Sequence, residues 1–420
     1  MSNMKVLVVG ASIAGPATAY WLAKAGVKVT VIERFPNVRT NGQSVDIRAA
    51  GVTVMRKIPG MEAAVRAKAT QQEGIHFVRD DGKPYATMYK TGDVNQQSLT
   101  SEFEIFRGDL AQILFEMSKD DENIEYIFGE QVTSMHQATN GLMKVEFANG
   151  LAPTEFDLVI ACDGANSRTR ALGLKCGVRD HVESVNCWAA YFSINQDLLG
   201  GSKMAQLWST TKGRLVAIGP DSTDVNRIGL LRIHPRDGSD ATMAFRVAMK
   251  QGDFEAKRHV AQEFAGAGWK TGQLIEAMME AKDFYASEIV QVKIPTLYAE
   301  RFVLVGDAGY CPSPFTGAGT TLALVGAYVL AGEISQNKGD LTAALRAYEE
   351  RMRPIVNDLQ KIAPGVPMLF APQTTKGIYL RNLLFAFIAW CKPFLGWFGK
   401  VFGGSLGTDR YKLPNYEWRT

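Results

Sequence analysis

The sequence predicts an α/β fold, in which a parallel-sheet domain is interleaved along the chain with a largely antiparallel-sheet domain and followed by a C-terminal helix. Three observations predict it. Apolar runs at Val6-Leu7-Val8-Val9, Leu158-Val159-Ile160-Ala161 and Phe302-Val303-Leu304-Val305 each lead into a Gly-containing turn, the pattern of parallel strands buried on both faces. From Ser184 to Ile233 several segments alternate in polarity, as antiparallel strands with one covered face do. Tyr379 to Phe402 is rich in Leu, Phe and Trp, and Arg381 and Pro393 leave too short an uncharged run for a membrane-spanning helix.

The first 34 residues organise the rest. After the strand at Val6, Gly10-Ala11-Ser12-Ile13-Ala14-Gly15 forms a turn, Pro16 to Lys24 reads as helix with Gly26 as its stop, and Val27 to Ile32 is a second strand ending at Glu33. A helix N-terminus carries unpaired N–H groups and partial positive charge, so a pyrophosphate can sit on such a turn. Gly10 allows the bend, Gly15 allows close helix–strand packing, and Glu33 can accept hydrogen bonds from both ribose hydroxyls of an adenosine. Ser12 stands where the usual pattern has its second glycine, so strain is expected there. A carboxylate at Glu33 repels a 2′-phosphate, which favours FAD or NAD over NADP in this site, with Arg34 beside it as a counterweight. The unit reads as an ADP-binding βαβ.

Composition bounds the class. The chain of 420 residues has 46% apolar and 21% charged residues and a net charge of +3. Those values suit an enzyme with a large core and give no reason to expect a nucleic-acid partner. Five cysteines, Cys162, Cys176, Cys187, Cys311 and Cys391, show no metal-ligand spacing. Buried thiols in a reducing, cytoplasmic compartment are expected, and the N-terminal apolar run, lacking a basic leader, is not read as an export signal.

In chain order, Phe35 to Ser44 is a loop, Val45-Asp46-Ile47 follows, and Ala49 to Lys57 is helix, broken at Pro59-Gly60. Ile75 to Val78 and Tyr85 to Tyr89 flank Asp80-Asp81-Gly82 as a hairpin. A polar stretch, Thr91 to Ser101, precedes Glu104-Ile105-Phe106-Arg107 and a helix from Gly108 to Ser118. Short strands are expected at Glu125 to Phe128 and Met143 to Phe147. The Asp157-to-Ala161 strand runs into Asp163-Gly164, where Asp163 by itself would cap a helix. Trp188 to Ile194, Met204 to Ser209 and Arg214 to Gly219 are strands; Asp253 to Phe264, Thr271 to Lys282, Thr320 to Ser335 and Leu341 to Gln360 are helices. Tyr379 to Phe402 reads as a helix packed across the two domains, with an interfacial membrane helix as the alternative.

With Gly-Ala-Ser-Ile-Ala-Gly, Asp163-Gly164, Gly306-Asp307-Ala308 and Ser313-Pro-Phe-Thr-Gly-Ala-Gly319 in this order, the chain resembles the single-component FAD-dependent aromatic hydroxylases of the para-hydroxybenzoate-hydroxylase-like fold. The branch it is most similar to contains tetracycline-inactivating monooxygenases and polyketide and alkaloid hydroxylases. The resemblance implies a Rossmann-like FAD-binding domain over 1–72, 101–178 and 285–365, a substrate domain over 73–100 and 179–284, and a C-terminal helical segment over 366–420. It also implies NADPH or NADH as co-substrate, molecular oxygen, and oxygen transfer to a phenol, enol or indole carbon through a flavin hydroperoxide. The rivals are a flavin oxidase or dehydrogenase on the same fold and a non-enzymatic membrane adaptor.

On the resemblance, non-covalent FAD is held by Gly10, Ser12, Ile13, Ala14, Gly15, Glu33, Arg34, Asp46, Arg107, Asp163, Gly164, Gly306, Asp307, Pro314, Gly317, Ala318, Gly319 and Thr320. The helix from Thr320 points its positive end at the flavin ring, which stabilises the reduced form. Tyr310, where many relatives carry His, and Thr320-Thr321, where many carry Asn, are departures expected to affect substrate choice. Candidates for substrate contact are Phe315, Arg214, Arg227 and Met368. No residue is assigned as catalytic acid or base, no metal is expected, and the partners expected are a small aromatic, polyketide or alkaloid molecule, with a monomer or homodimer as the assembly.

Overall fold

The computed structural model describes residues 4–40, 42–90, 102–221, 225–235, 238–338, 340–362, 365–402 and 411–418, without the side chains of 388, 389 and 391–402. The polar stretch expected over 91–101, Pro364, and the side chains of Phe394, Leu395, Trp397 and Phe398 lie outside the described residues.

Apolar runs become the centre of a six-stranded sheet ordered Tyr298–Ala299, Phe302–Leu304, Leu158–Ala161, Lys5–Val9, Lys28–Glu33, Ile124–Phe128. It is parallel except at the Tyr298–Ala299 edge. Val6, Leu7, Val8, Val159 and Ile160 are fully buried, as runs without alternation must be. The helices Ala14–Lys24 and Gly319–Gln336 pack against one another, and Leu341–Leu359 packs behind the second. Gly319–Gln336 is buried on nearly every side, which an apolar helix sandwiched between layers requires.

The alternating segments form a seven-stranded sheet ordered Tyr285–Val292, Val182–Ile194, Asn226–Ile233, Arg214–Pro220, Met204–Thr210, Gly74–Val78, Pro84–Tyr89. Its pairings are antiparallel except between Met204–Thr210 and Gly74–Val78. One face, with Trp188, Val216, Ile228 and Leu230, is covered by Phe245, Val260, Phe264 and Leu274 of the helices Met243–Gln251, Asp253–Phe264 and Thr271–Glu280. The opposite face carries Tyr191, Leu207, Leu215 and Leu231. Between the two large sheets, Ser44–Asp46 pairs antiparallel with Glu104–Phe106. Tyr285–Val292 pairs with Val182–Tyr191, so the larger antiparallel sheet extends past the boundary expected at 284. Its alternation is masked because Ile289, Val290 and Val292 are all buried.

Several elements escape the sequence reading, among them Met61–Lys68, a helix restarting after Gly60 at φ +79°, Val132–Gln137, which pairs with Met143–Phe147, Arg168–Leu174 and Met243–Gln251. The helix at the C-terminal end spans Thr375–Phe402, and the side chains described in its first half pack on the seven-stranded sheet. Arg381 and Phe385 face the seven-stranded sheet: Arg381 donates to the Leu369 and Phe370 carbonyls and to Ser209 Oγ, and Phe385 meets Phe77 edge-on. Tyr379, Leu380, Leu383, Phe387 and Trp390 remain exposed; among the described side chains of this helix, the buried ones are the turn-spaced pair Arg381 and Phe385. Residues 411–418 contact the parallel-sheet layer, where Trp418 packs on Trp21 and Tyr416 donates to Glu333 at 2.6 Å. Among the described residues no helix is long and apolar enough to cross a membrane.

Candidate active site

The turn after the first strand is held by three contacts. The Gly10 N–H donates to the Ile32 carbonyl, and Gly10 adopts φ +107°, where a Cβ would meet the Cys162 carbonyl oxygen at 2.7 Å. Gly15 lets the helix press on the turn: a Cβ there would lie 1.8 Å from the Gly10 oxygen. Glu33 accepts from the Ala11 N–H at 2.8 Å and from the Phe35 N–H at 3.1 Å. The carboxylate thus fixes the turn from below, a role the sequence reading did not assign. Ser12 is absent from the residues with positive φ, so its backbone alone does not require glycine.

Two cavities lie along this turn. One, of about 140 Å³, is lined by Gly10, Ser12, Glu33, Arg34, Arg107, Asp163 and Gly164, together with Arg39 and Arg168. The other, of about 180 Å³, is lined by Ser12, Ile13, Ala14, Asp46, Arg107, Gly164, Asp307, Pro314, Gly317, Gly319 and Thr320. Ser12, Arg107, Cys162 and Gly164 line both, which makes them one trench. Of the expected cofactor residues, Gly15, Gly306 and Ala318 stand behind the wall. Gly306, at φ +68°, leaves room for Ala14, whose Cβ would be 2.9 Å from a Cβ at 306.

The trench suits an elongated anionic group with polar ends. Two helices begin at it, Ala14–Lys24 and Gly319–Gln336, and neither N-cap, Ile13 or Ala318, makes a side-chain capping bond. Their first N–H groups are therefore available to a ligand. Buried atoms in the trench wall, Gln43 Oε1, Arg107 Nε and Ser313 Oγ, have no hydrogen-bond partner among the described residues, and buried polar atoms rarely stay unpaired. Burial raises the Asp307 carboxyl pKa and Arg107 opposes the rise. Burial likewise raises Asp163, against hydrogen bonds from Ser167 and Thr169. Asp163 accepts from Ser167 Oγ and, at 2.9 Å, from Thr169 Oγ1, so it organises the start of Arg168–Leu174 while facing the trench.

A third cavity, of about 220 Å³, opens between the small two-stranded sheet and the face of the seven-stranded one that carries Tyr191 and Leu207. It shares Gln43 and Ser44 with the trench. Phe106, Tyr191, Phe192 and Tyr285 give it aromatic walls, and Ala217, Gly219 and Gly229 give it a shallow floor. Arg227 lines it, bound to Asp221 at 2.7 Å and Asp283 at 3.3 Å.

The other expected substrate contacts are placed elsewhere. Arg214 is one residue out of phase with Leu215, Ala217 and Gly219, so it points to the helix-covered face, where it donates to the Thr211 and Ala265 carbonyls. Phe315 packs against the buried cluster that contains Ile289 and Leu215, and Met368 is exposed; neither lines the three cavities. Tyr310 also lies away from the third cavity. It is buried, bonds Tyr348 Oη at 3.0 Å, and fills the space opened by Gly326, where a Cβ would sit 1.9 Å from its hydroxyl. Thr321 holds the Arg48 backbone through its Oγ1, donating at 2.9 Å and accepting at 3.1 Å. Tyr310 and Thr321 are thus held by packing and backbone contacts in this chain, whereas Thr320 lines the trench. Gln43, Ser44, Glu104, Tyr191, Asp283 and Tyr285 were missed by the sequence reading; the last two follow directly on the helix Thr271–Glu280 and its loop, which was the only hint.

Comparison with known proteins agrees with this geometry. Residues 3–363 match the family described as FAD binding domain. A FAD-dependent monooxygenase, asL4, of Sarocladium schorii is 32% identical, with 93% of each chain covered. Monooxygenase CTB7 of Cercospora beticola is 32% identical, covering 99% of this chain and 98% of its own. Among solved structures, tetracycline destructase Tet(55) superposes with a TM-score of 0.77 at 30% identity, with 99% of each chain covered.

Proposed function

The chain belongs to the FAD binding domain family and is an FAD-dependent monooxygenase, and from that premise we propose that it uses NADPH or NADH to place one oxygen atom on an electron-rich aromatic, enol or indole-type molecule. The observation that carries this reading is the junction at Gln43 and Ser44, where the trench meets an aromatic-walled cavity of about 220 Å³. A cofactor in the trench and a planar substrate in the cavity would meet there. Tetracycline destruction, named for Tet(55), makes polycyclic phenols and enols the first candidates.

FAD, when bound, supplies the electron transfer and oxygen activation. This chain's residues supply the rest. Glu33 would take the adenosine ribose hydroxyls, and Ser12, Ile13 and Ala14 would offer N–H groups to the pyrophosphate. Arg107 and Asp307 would meet the middle of the cofactor, where the otherwise unpaired Arg107 Nε gains an acceptor. The first turn of Gly319–Gln336 would direct positive potential at the flavin end of the trench, favouring negative charge there. Asp163 and Gly164 would close the trench from the side of the third strand. The aromatic wall of the substrate cavity keeps water from the reacting atoms. In this reading the six-stranded, mainly parallel sheet holds the cofactor and the seven-stranded sheet, which includes Tyr285–Val292, holds the substrate.

The test is substrate-stimulated NADPH oxidation by the purified protein with phenolic polyketides, tetracyclines and indole alkaloids, followed by mass analysis of the organic product. Stimulation together with a product heavier by one oxygen supports the reading. NADPH oxidation that yields hydrogen peroxide alone with every binding compound overturns it.

A further inference from the structure

The substrate cavity has a distinctive charge pattern. Its charged lining residues are Glu104, Arg227 and Asp283. Arg227 is spent: Nε pairs with Asp221 at 2.7 Å, Nη1 meets Asp283 at 3.3 Å and Ser193 Oγ at 2.8 Å, and the guanidinium lies over the Phe106 ring. Glu104 is different. Its Oε2 accepts from Thr70 Oγ1 at 3.2 Å, and among the described residues it has no ion pair within 4.0 Å. Asp46 stands directly opposite it on the neighbouring strand and is itself held by Arg48 at 2.6 Å. Like charges facing across a strand pair are destabilising, and such placements concentrate at functional sites.

Resting on the reading that this cavity receives the substrate, we propose that Glu104 determines its specificity, engaging a hydroxyl of a neutral hydroxylated aromatic ring and turning away aromatic carboxylates. Burial and the Asp46 charge raise the Glu104 pKa, while Ser44, Lys90 and Thr70 oppose the rise. A phenolic hydroxyl is both donor and acceptor, so it pairs with Glu104 in either protonation state. A carboxylate on the ligand meets a wall whose one cation is already neutralised. The floor of Ala217, Gly219 and Gly229 lets a planar ring lie flat beside Glu104. A hydroxyl that donates to a carboxylate also pushes electron density into its ring, which makes the ring a better acceptor of electrophilic oxygen.

The test uses the FAD-loaded full chain and two probes of nearly equal size, 2,4-dihydroxyacetophenone and 2,4-dihydroxybenzoate, with perturbation of the flavin absorbance as the binding readout. The neutral ketone should bind about tenfold or more tightly than the benzoate, because both present the same hydroxyls while the benzoate carboxylate is repelled by Glu104 and Asp283 and finds Arg227 already paired. Glu104→Gln should weaken the ketone and bring the two affinities together. Lowering pH on the wild-type protein gives a readout independent of folding: as Glu104 is protonated, facing Asp46, Lys90, Arg227 and Asp283, the preference for the ketone should shrink. Equal affinities in the wild type, no ketone binding, or a preference that survives both Glu104→Gln and acidification overturns the proposal. Because the readout is binding, a ketone that binds in this manner but is never oxygenated counts against the oxygen-insertion reading instead.

Discussion

Glu33→Ala is the perturbation that separates the two roles placed on this carboxylate. In the protein Glu33 accepts from the Ala11 N–H at 2.8 Å and from the Phe35 N–H at 3.1 Å. Hydrogen bonds to a charged group contribute about 1.5–3 kcal/mol each; for a half-buried carboxylate the lower value applies, so the two together hold the turn by about 3 kcal/mol. Hydrogen exchange in the FAD-free protein should therefore quicken for the Gly10 and Ala11 amides, the two of this turn that are hydrogen-bonded, by about a hundredfold, since 1.4 kcal/mol corresponds to about a factor of ten. The adenosine ribose adds at least one further bond, so FAD affinity should fall by about tenfold beyond the cost of the loosened turn. Fluorescence titration of the FAD-free protein with FAD reads the second quantity. Unchanged exchange refutes the pinning of the turn. Faster exchange with unchanged FAD affinity removes the ribose from Glu33.

Acid precipitation of the yellow protein should release all its flavin, and flavin retained in the pellet would refute a non-covalent site. Asp307→Ala should lower FAD occupancy or slow flavin reoxidation far more than it lowers global stability; full occupancy with full activity contradicts the placement of Asp307 at the cofactor. Burial raises the Asp307 carboxyl pKa in the folded state, so the folded FAD-free protein binds the extra proton more tightly than the unfolded chain does. Its stability should then fall as pH rises from the ordinary carboxylate range through the raised value, and Asp307→Asn should flatten that fall; identical melting-temperature slopes exclude the effect. Tyr416→Phe removes the 2.6 Å bond to Glu333 and should cost about 1.5–3 kcal/mol in urea unfolding, with no change meaning that Arg351, which also pairs with Glu333, suffices. Truncation after Gln360 removes both the sheet-bound helix and the Tyr416–Trp418 contacts, and should give insoluble or flavin-poor protein; a soluble FAD-bound product contradicts it.

The legible parts of the fold are those whose burial is one-dimensional in the sequence. Val6 to Val9, Leu158 to Ala161 and Phe302 to Leu304 are covered on both faces, so each reads directly as a buried run. The turn glycines were equally legible, because Gly10 and Gly15 face backbone oxygens at distances no side chain tolerates. The substrate cavity was not. Arg214 and Arg227 both sit on alternating strands, and nothing in the sequence says which phase of the alternation faces the cavity; the register with the neighbouring strands decides it. Glu104 hid in a short charged segment, and its significance arises only when Ser44–Asp46 pairs with it from 58 residues away along the chain. Tyr310 looked like a choice of substrate until Gly326 showed the matching space in the helix facing it.

Oxygen-18 labelling tests the central claim most directly. The FAD-loaded protein, NADPH and each compound that perturbs the flavin spectrum are incubated under labelled oxygen gas in unlabelled water. The account predicts that at least one such compound becomes an organic product carrying a single labelled oxygen atom, with NADPH consumed in equal amount. Label recovered solely in hydrogen peroxide, whatever compound is bound, would contradict it.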